Sequence, residues 1–243
     1  MINFFRRIRQ KLFSENKFSK YLIYALGEII LVVIGILIAL QINNWNEQRK
    51  AIIQEKALLA NLVTSIESDK ERFTENLNDA YSILNVYKQL YQIGSNISND
   101  SIIDNPNYVR KMLRFDPNMN QDFSKLSDKI TNGQIKNALL EYDYDLNNFE
   151  AEYLEFRIVI ERIRIFLGEK GIYQLENLYT TDDLSNVIFV NLEKLIELSK
   201  TVEFQQLMFE AKMKLEFVKI RLQQILNQNN ELKVAIDKNI IFY

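Results

Sequence analysis

Two regimes of hydrophobic patterning divide the chain. Residues 21–40 read YLIYALGEIILVVIGILIAL, apolar on every side with Glu28 as the only charge. From Glu47 onward, apolar residues recur at steps of three and four, with charged and amide side chains between them. A helix that is greasy all round belongs in a membrane or a deep core, whereas a single apolar stripe marks a helix laid against a soluble bundle. The pattern predicts an all-α protein, with one N-terminal transmembrane helix followed by an elongated, coiled-coil-like helical bundle.

The apolar segment is one bilayer long, because 20 residues at 1.5 Å per residue give about 30 Å. Thirteen of its residues are Leu, Ile or Val, contributing on the order of -4 to -8 kcal/mol to insertion against roughly +3 for Glu28. Insertion wins. A core helix of a soluble protein rarely runs this long with one polar residue. A cleaved signal peptide would have a shorter apolar region and a small-residue cleavage site, yet the segment runs into Gln41-Ile42-Asn43-Asn44-Trp45. We read residues 21–41 as an uncleaved anchor.

Charge sets its direction. Arg6, Arg7, Arg9, Lys11, Lys17 and Lys20 precede the segment with Glu15 as the only acid there, while neutral Asn and Gln follow it. Lys and Arg flanking a span are retained on the inner side. Residues 1–20 are therefore expected in the cytoplasm, as a basic amphipathic segment against the anionic inner leaflet, and residues 42–243 as an extracytoplasmic helical domain. Tyr21 and Tyr24 suit the inner interface and Trp45 the outer one.

Glu28, Val32, Gly35, Ala39 and Asn43 are spaced 4, 3, 4 and 4 residues apart, so they share a helix face. That face collects the small and polar residues. Gly35 and Ala39 form a small-xxx-small pair, which lets a second helix backbone come close. A carboxyl this deep must be protonated, hydrogen-bonded across a helix interface or turned into a wet cavity. The favoured reading is a contact between helices of a homo-oligomer. A proton-responsive carboxyl and a cationic partner from another protein stay open beside it.

The stretch from Glu15 to Glu47, ENKFSKYLIYALGEIILVVIGILIALQINNWNE, resembles the N-terminal signature of an uncharacterised Bacteroidota family of single-pass membrane proteins with a domain-of-unknown-function label. The preceding MINFFRRIRQKLF is similar to it too, and further on only features such as LSDKITNGQIKNALL (residues 126–140) resemble the family. The resemblance implies a bacterial inner-membrane setting and brings no assigned activity or site residues.

Beyond the anchor, Leu59, Leu62, Ile66, Phe73, Leu77, Ala80, Leu84, Tyr87 and Tyr91 follow helical spacing, interrupted where Asp69 takes a seam position. No Pro or Gly lies between Gly35 and Gly94. The membrane helix is thus expected to continue into a rod of roughly 70 residues and about 100 Å, with a bend near residues 43–46 as the alternative. Residues 94–106 read as a polar loop, followed by short helices over 108–115 and 120–130. Asn132-Gly133 reads as a helix-ending signal. A long helix over 134–167 carries Leu139, Tyr142, Leu146, Phe149, Tyr153, Phe156 and Ile160 on its stripe and ends at Gly168 to Gly171. Thr181-Asp182-Asp183 is expected to cap a helix reaching Lys200, and a last helix to cover 203–238.

Composition then closes off most chemistry. The 243 residues contain no Cys and no His, which removes thiol nucleophiles, disulfides, Ser-His-Asp triads, zinc hydrolase sites and Glu-x-x-His di-iron motifs. A net charge of -2 gives no basic surface for nucleic acid. We expect no catalytic, cofactor or metal site. Glu141, Asp145, Glu152 and Glu155 share one face, and a solvated face pairing with Lys and Arg is favoured over a divalent-cation site completed by Asp182 and Asp183. The expected partners are the lipid bilayer, further copies of the chain and envelope proteins. The function expected is a membrane-anchored periplasmic interaction or scaffold module, and the alternative is a sensor or a proton-coupled accessory subunit using Glu28.

Overall fold

The computed structural model of the protein describes residues 18–97, 103–117, 123–180 and 187–241. Among the described residues the fold is all-α, and the only β-type pairing is an isolated antiparallel bridge between Tyr173 and Val190. The first helix, α1 (Phe18–Gly94), has 77 residues, and Asn43 to Asn46 are all helical. The chain divides into two units, Met1–Ala57 and Leu58–Tyr243.

Within the second unit, residues 58–94 of α1 pack with α3 (Gly133–Glu169) and α6 (Val202–Ile241) as a three-helix bundle. Shorter elements fill its flanks: a 3-10 turn (Pro106–Arg110), α2 (Phe123–Ser127), α4 (Leu175–Tyr179) and α5 (Leu192–Ser199). The expected seam holds along most of α1, where Leu59, Leu62, Ile66, Phe73, Ala80 and Tyr87 are buried. Leu77 and Leu84 lie half-buried against the core. Tyr91 departs from the expectation. It is 52% exposed, and Leu90 and Ile93 are buried instead, because a 3.6-residue period drifts off a repeated 3-4 pattern within a few turns. On α3 the expected stripe is buried except Tyr153, which is half-buried and stacks on Phe115 at 5.8 Å.

Three local expectations are overturned. Asn132-Gly133 begins a helix rather than ending one. The Asn132 side chain accepts hydrogen bonds from the Gln134 and Ile135 N–H groups at 2.8 and 3.3 Å, and Gly133 is the first residue of α3. An Asn oxygen satisfies the orphan donors of a first turn as readily as an Asn backbone accommodates a C-terminal turn, so the dipeptide fits either end.

The helix expected over 108–115 is a 3-10 turn followed by extended chain. Asn105 caps the turn through Asn107 N at 3.0 Å, with Pro106 at its start. The Asn76 amide then grips Arg114 on both sides, donating to its carbonyl at 2.7 Å and accepting from its N–H at 3.1 Å. A side-chain amide thus takes the place of a neighbouring strand.

Of the helix expected from Thr181 to Lys200, the described residues after 186 form only α5, which begins at Leu192 and is capped by Asn191 accepting from Lys194 N at 3.0 Å. Residues 181–186 lie outside the described residues. The β-branched and aromatic run Val187 to Val190 is non-helical and pairs with the chain after α3. Gln174 N donates to Phe189 O at 2.8 Å, and Asn191 N donates to Ile172 O at 2.9 Å. The C-terminus of α3 follows the expectation at Gly168 to Gly171. Gly171 has φ +63, and the Ile172 and Gly171 N–H groups reach back to the Leu167 and Gly168 carbonyls at 3.0 Å each. Buried Leu167 and Ile172 complete this helix stop with an apolar contact pair.

Candidate functional site

In the first unit the candidate face lies entirely on α1. Residues 22–40 are exposed to their surroundings except Ala25, which is intermediate. Large apolar side chains stand open along the whole segment, from Leu22 at 49% to Leu40 at 53%. Helix α1 is the one helix among the described residues long and apolar enough to cross a membrane, and none of its apolar window is buried. A core helix of a soluble protein would show the opposite, because apolar area left in water costs about 25 cal/mol per Å².

Glu28, Val32, Gly35, Ala39 and Asn43 are all exposed. A Cβ built on Gly35 meets nothing within 4 Å, so the backbone is open to close approach. Tyr24 and Trp45 are also exposed, at 54% and 63%. Tyr21 and Lys20 are helical, with side chains outside the described ones, and Arg6, Arg7, Arg9, Lys11 and Lys17 lie outside the described residues.

The second unit holds a polar layer in the bundle core. Asp69 of α1, Tyr142 of α3 and Asn229 of α6 are each 0% exposed. The Tyr142 hydroxyl donates to Asp69 Oδ2 at 3.2 Å, and the Asn229 amide donates to the Ile66 carbonyl at 2.8 Å. Burial, reinforced by the charge of Asp69, pushes the Tyr142 hydroxyl far above its ordinary range. Each helix therefore sends one polar group into the same layer, and a slip of any helix along its axis would strand those groups in the apolar core. Asp69 interrupts an otherwise apolar seam in the sequence. Asn229 does the same on α6, taking a seam position between buried Leu222 and Ile225 on one side and Leu232 and Ile236 on the other, at steps of three and four.

The acidic face of α3 pairs with cations. Glu155 meets Lys214 at 3.1 Å and Glu152 meets Arg221 at 4.0 Å, both across to α6. Partial burial raises the Asp145 carboxyl above the usual range, and the nearby Arg221 draws it back down. Asp182 and Asp183, the second half of the alternative cation site, lie outside the described residues. Among the described residues no three acidic side chains are placed to hold a metal ion.

No curated protein and no solved structure matches the chain. The model of a family of unknown function, DUF6090, matches residues 28–102, from Glu28 through the bundle part of α1.

Proposed function

We propose that this protein is a single-pass, oligomeric scaffold of the bacterial inner membrane, with residues 1–20 in the cytoplasm and residues 42–243 in the periplasm, where the helical domain binds envelope proteins and performs no catalysis. The observation that carries the reading is the exposure of every large apolar side chain described between residues 22 and 40, which only a lipid surround makes favourable. The cationic flank on one side of that segment supplies the orientation. Glu28, Gly35 and Ala39 supply the helix-to-helix contact in lipid, where small residues and a hydrogen-bonding side chain drive association.

Fusing alkaline phosphatase or a green fluorescent protein to the C-terminus of the full chain tests the topology. Phosphatase activity with a dark fluorescent fusion is expected. A bright fluorescent fusion with inactive phosphatase would overturn the orientation.

A further inference from the structure

We infer that the groove between the last turns of α1 and the first turns of α6 binds an apolar small molecule that carries a negative charge, of the aryl or alkyl carboxylate or sulfonate class. The groove encloses about 500 Å³, within the roughly 300–1,000 Å³ range of small-molecule sites. Tyr87 and Met208 form its floor and are 2% and 4% exposed, while Tyr91 and Phe209 wall it at 52% and 57%. Two aromatic rings standing half in solvent beside a buried apolar floor leave a slot whose filling removes apolar area from water.

Lys88 and Lys212 supply the only charges on the lining, and both are positive. Among the described residues neither has a carboxylate within ion-pair distance. Other lysines of α6 do: Lys214 pairs with Glu155, Lys219 with Glu216 and Lys233 with Glu67. Two ammonium groups without counter-charges at the rim of an apolar slot complement an anion with a greasy body. Three other grooves among the described residues lack this combination, and the one beside α5 mixes Lys170 and Lys194 with Glu193 and Glu197. The one between α3 and α6 mixes Arg162 with Glu169, Glu203 and Glu210, and the one beside Arg72 is occupied by that residue's own pair with Asp116.

The slot is also built rather than incidental. The Tyr87 hydroxyl reaches the Val109 carbonyl at 3.4 Å, and the Gln205 amide donates to the Ser199 carbonyl at 3.0 Å. These bonds fix the floor residue Tyr87 and the lining residue Gln205 before any ligand arrives, which lowers the entropic cost of binding.

This inference stands apart from the membrane topology and from oligomer formation. The test uses the full chain in phosphatidylcholine nanodiscs, with 8-anilinonaphthalene-1-sulfonate as the anionic probe, its uncharged counterpart N-phenyl-1-naphthylamine as the comparison, and empty discs as the blank. Saturable sulfonate fluorescence above the blank is expected. The double variant Lys88→Gln/Lys212→Gln should weaken sulfonate binding about tenfold or more, corresponding to roughly 1.4 kcal/mol per decade, and leave the uncharged probe unaffected. Phe209→Ser should weaken both probes with an unchanged melting curve, since the side chain is exposed. Absence of saturable binding, sulfonate binding indifferent to the two lysines, or an equal loss for both probes in the lysine variant would each overturn the inference.

Discussion

The carbonyl oxygen of Ser199 stands where Gly94 has no side chain: a Cβ at position 94 would lie 2.2 Å from that oxygen and 2.7 Å from its carbonyl carbon. Gly94 closes α1 and Ser199 closes α5, so two helix C-termini meet at a spacing only glycine permits. Because the obstacle is backbone, it cannot swing aside. Gly94→Ala should destabilise the bundle by about 2–3 kcal/mol, lowering the melting temperature by roughly 5–10 °C for a chain of this size. Gly133→Ala is the control, since nothing lies within 4 Å of its Cβ. It should be neutral or stabilising by about 0.4–1 kcal/mol. Equal melting temperatures for wild type and Gly94→Ala in circular dichroism would refute the contact.

The buried layer makes a second prediction. Tyr142→Phe keeps the ring and deletes the hydroxyl that donates to Asp69 at 3.2 Å. The carboxyl is then one donor short in the core, at a cost of about 1–3 kcal/mol. The double variant Tyr142→Phe/Asp69→Leu should recover part of that loss, because the polar demand disappears along with its supply. A double variant that loses the sum of both single effects would show that the two groups do not act together.

Stability should also fall at alkaline pH. Burial holds the Tyr87 hydroxyl far above its ordinary value of 10.0, and the Glu67 carboxylate beside Lys233 raises that ammonium above 10.5. Both groups keep a proton in the folded chain that the unfolded chain releases. Their contribution is complete below pH 10 and is lost as the pH rises past the unfolded values. The urea midpoint should stay level from pH 8 to about 9.5 and then decline, with a shallower decline in Tyr87→Phe. A midpoint independent of pH up to 11.5 would contradict both assignments.

For the membrane face, Glu28→Gln retains a hydrogen-bonding side chain whereas Glu28→Leu removes it. If the carboxyl links helices in lipid, Gln should preserve the oligomer and Leu should weaken it by about 0.6–2 kcal/mol per contact. Amine-directed cross-linking in native membranes reads this directly, and unchanged oligomers in Glu28→Leu would remove Glu28 from the interface.

Much of this architecture is legible in the sequence because a helix announces itself through its own neighbours. The uniform apolarity of residues 21–40 marks the candidate membrane span, and the three- and four-residue steps from Leu59 to Tyr87 and from Leu139 to Ile160 identify the buried stripes without any partner in view. Both are local properties of the chain. The acidic face of α3 is legible in the same way as a paired surface, although its cations, Lys214 and Arg221, sit more than 55 residues away. What sequence could not decide depends on contacts between distant segments. Asn132-Gly133 is equally suited to starting or stopping a helix, and residues 187–190 leave the helical state because Ile172 and Gln174 offer them backbone partners. Nothing near Gly94 in the chain reveals that Ser199 presses against it, and nothing near Lys88 reveals that Lys212 shares its groove. Periodicity reports which face of one helix seeks burial. Which groups meet there is set only when the helices pack, because close packing and charge complementarity are properties of pairs.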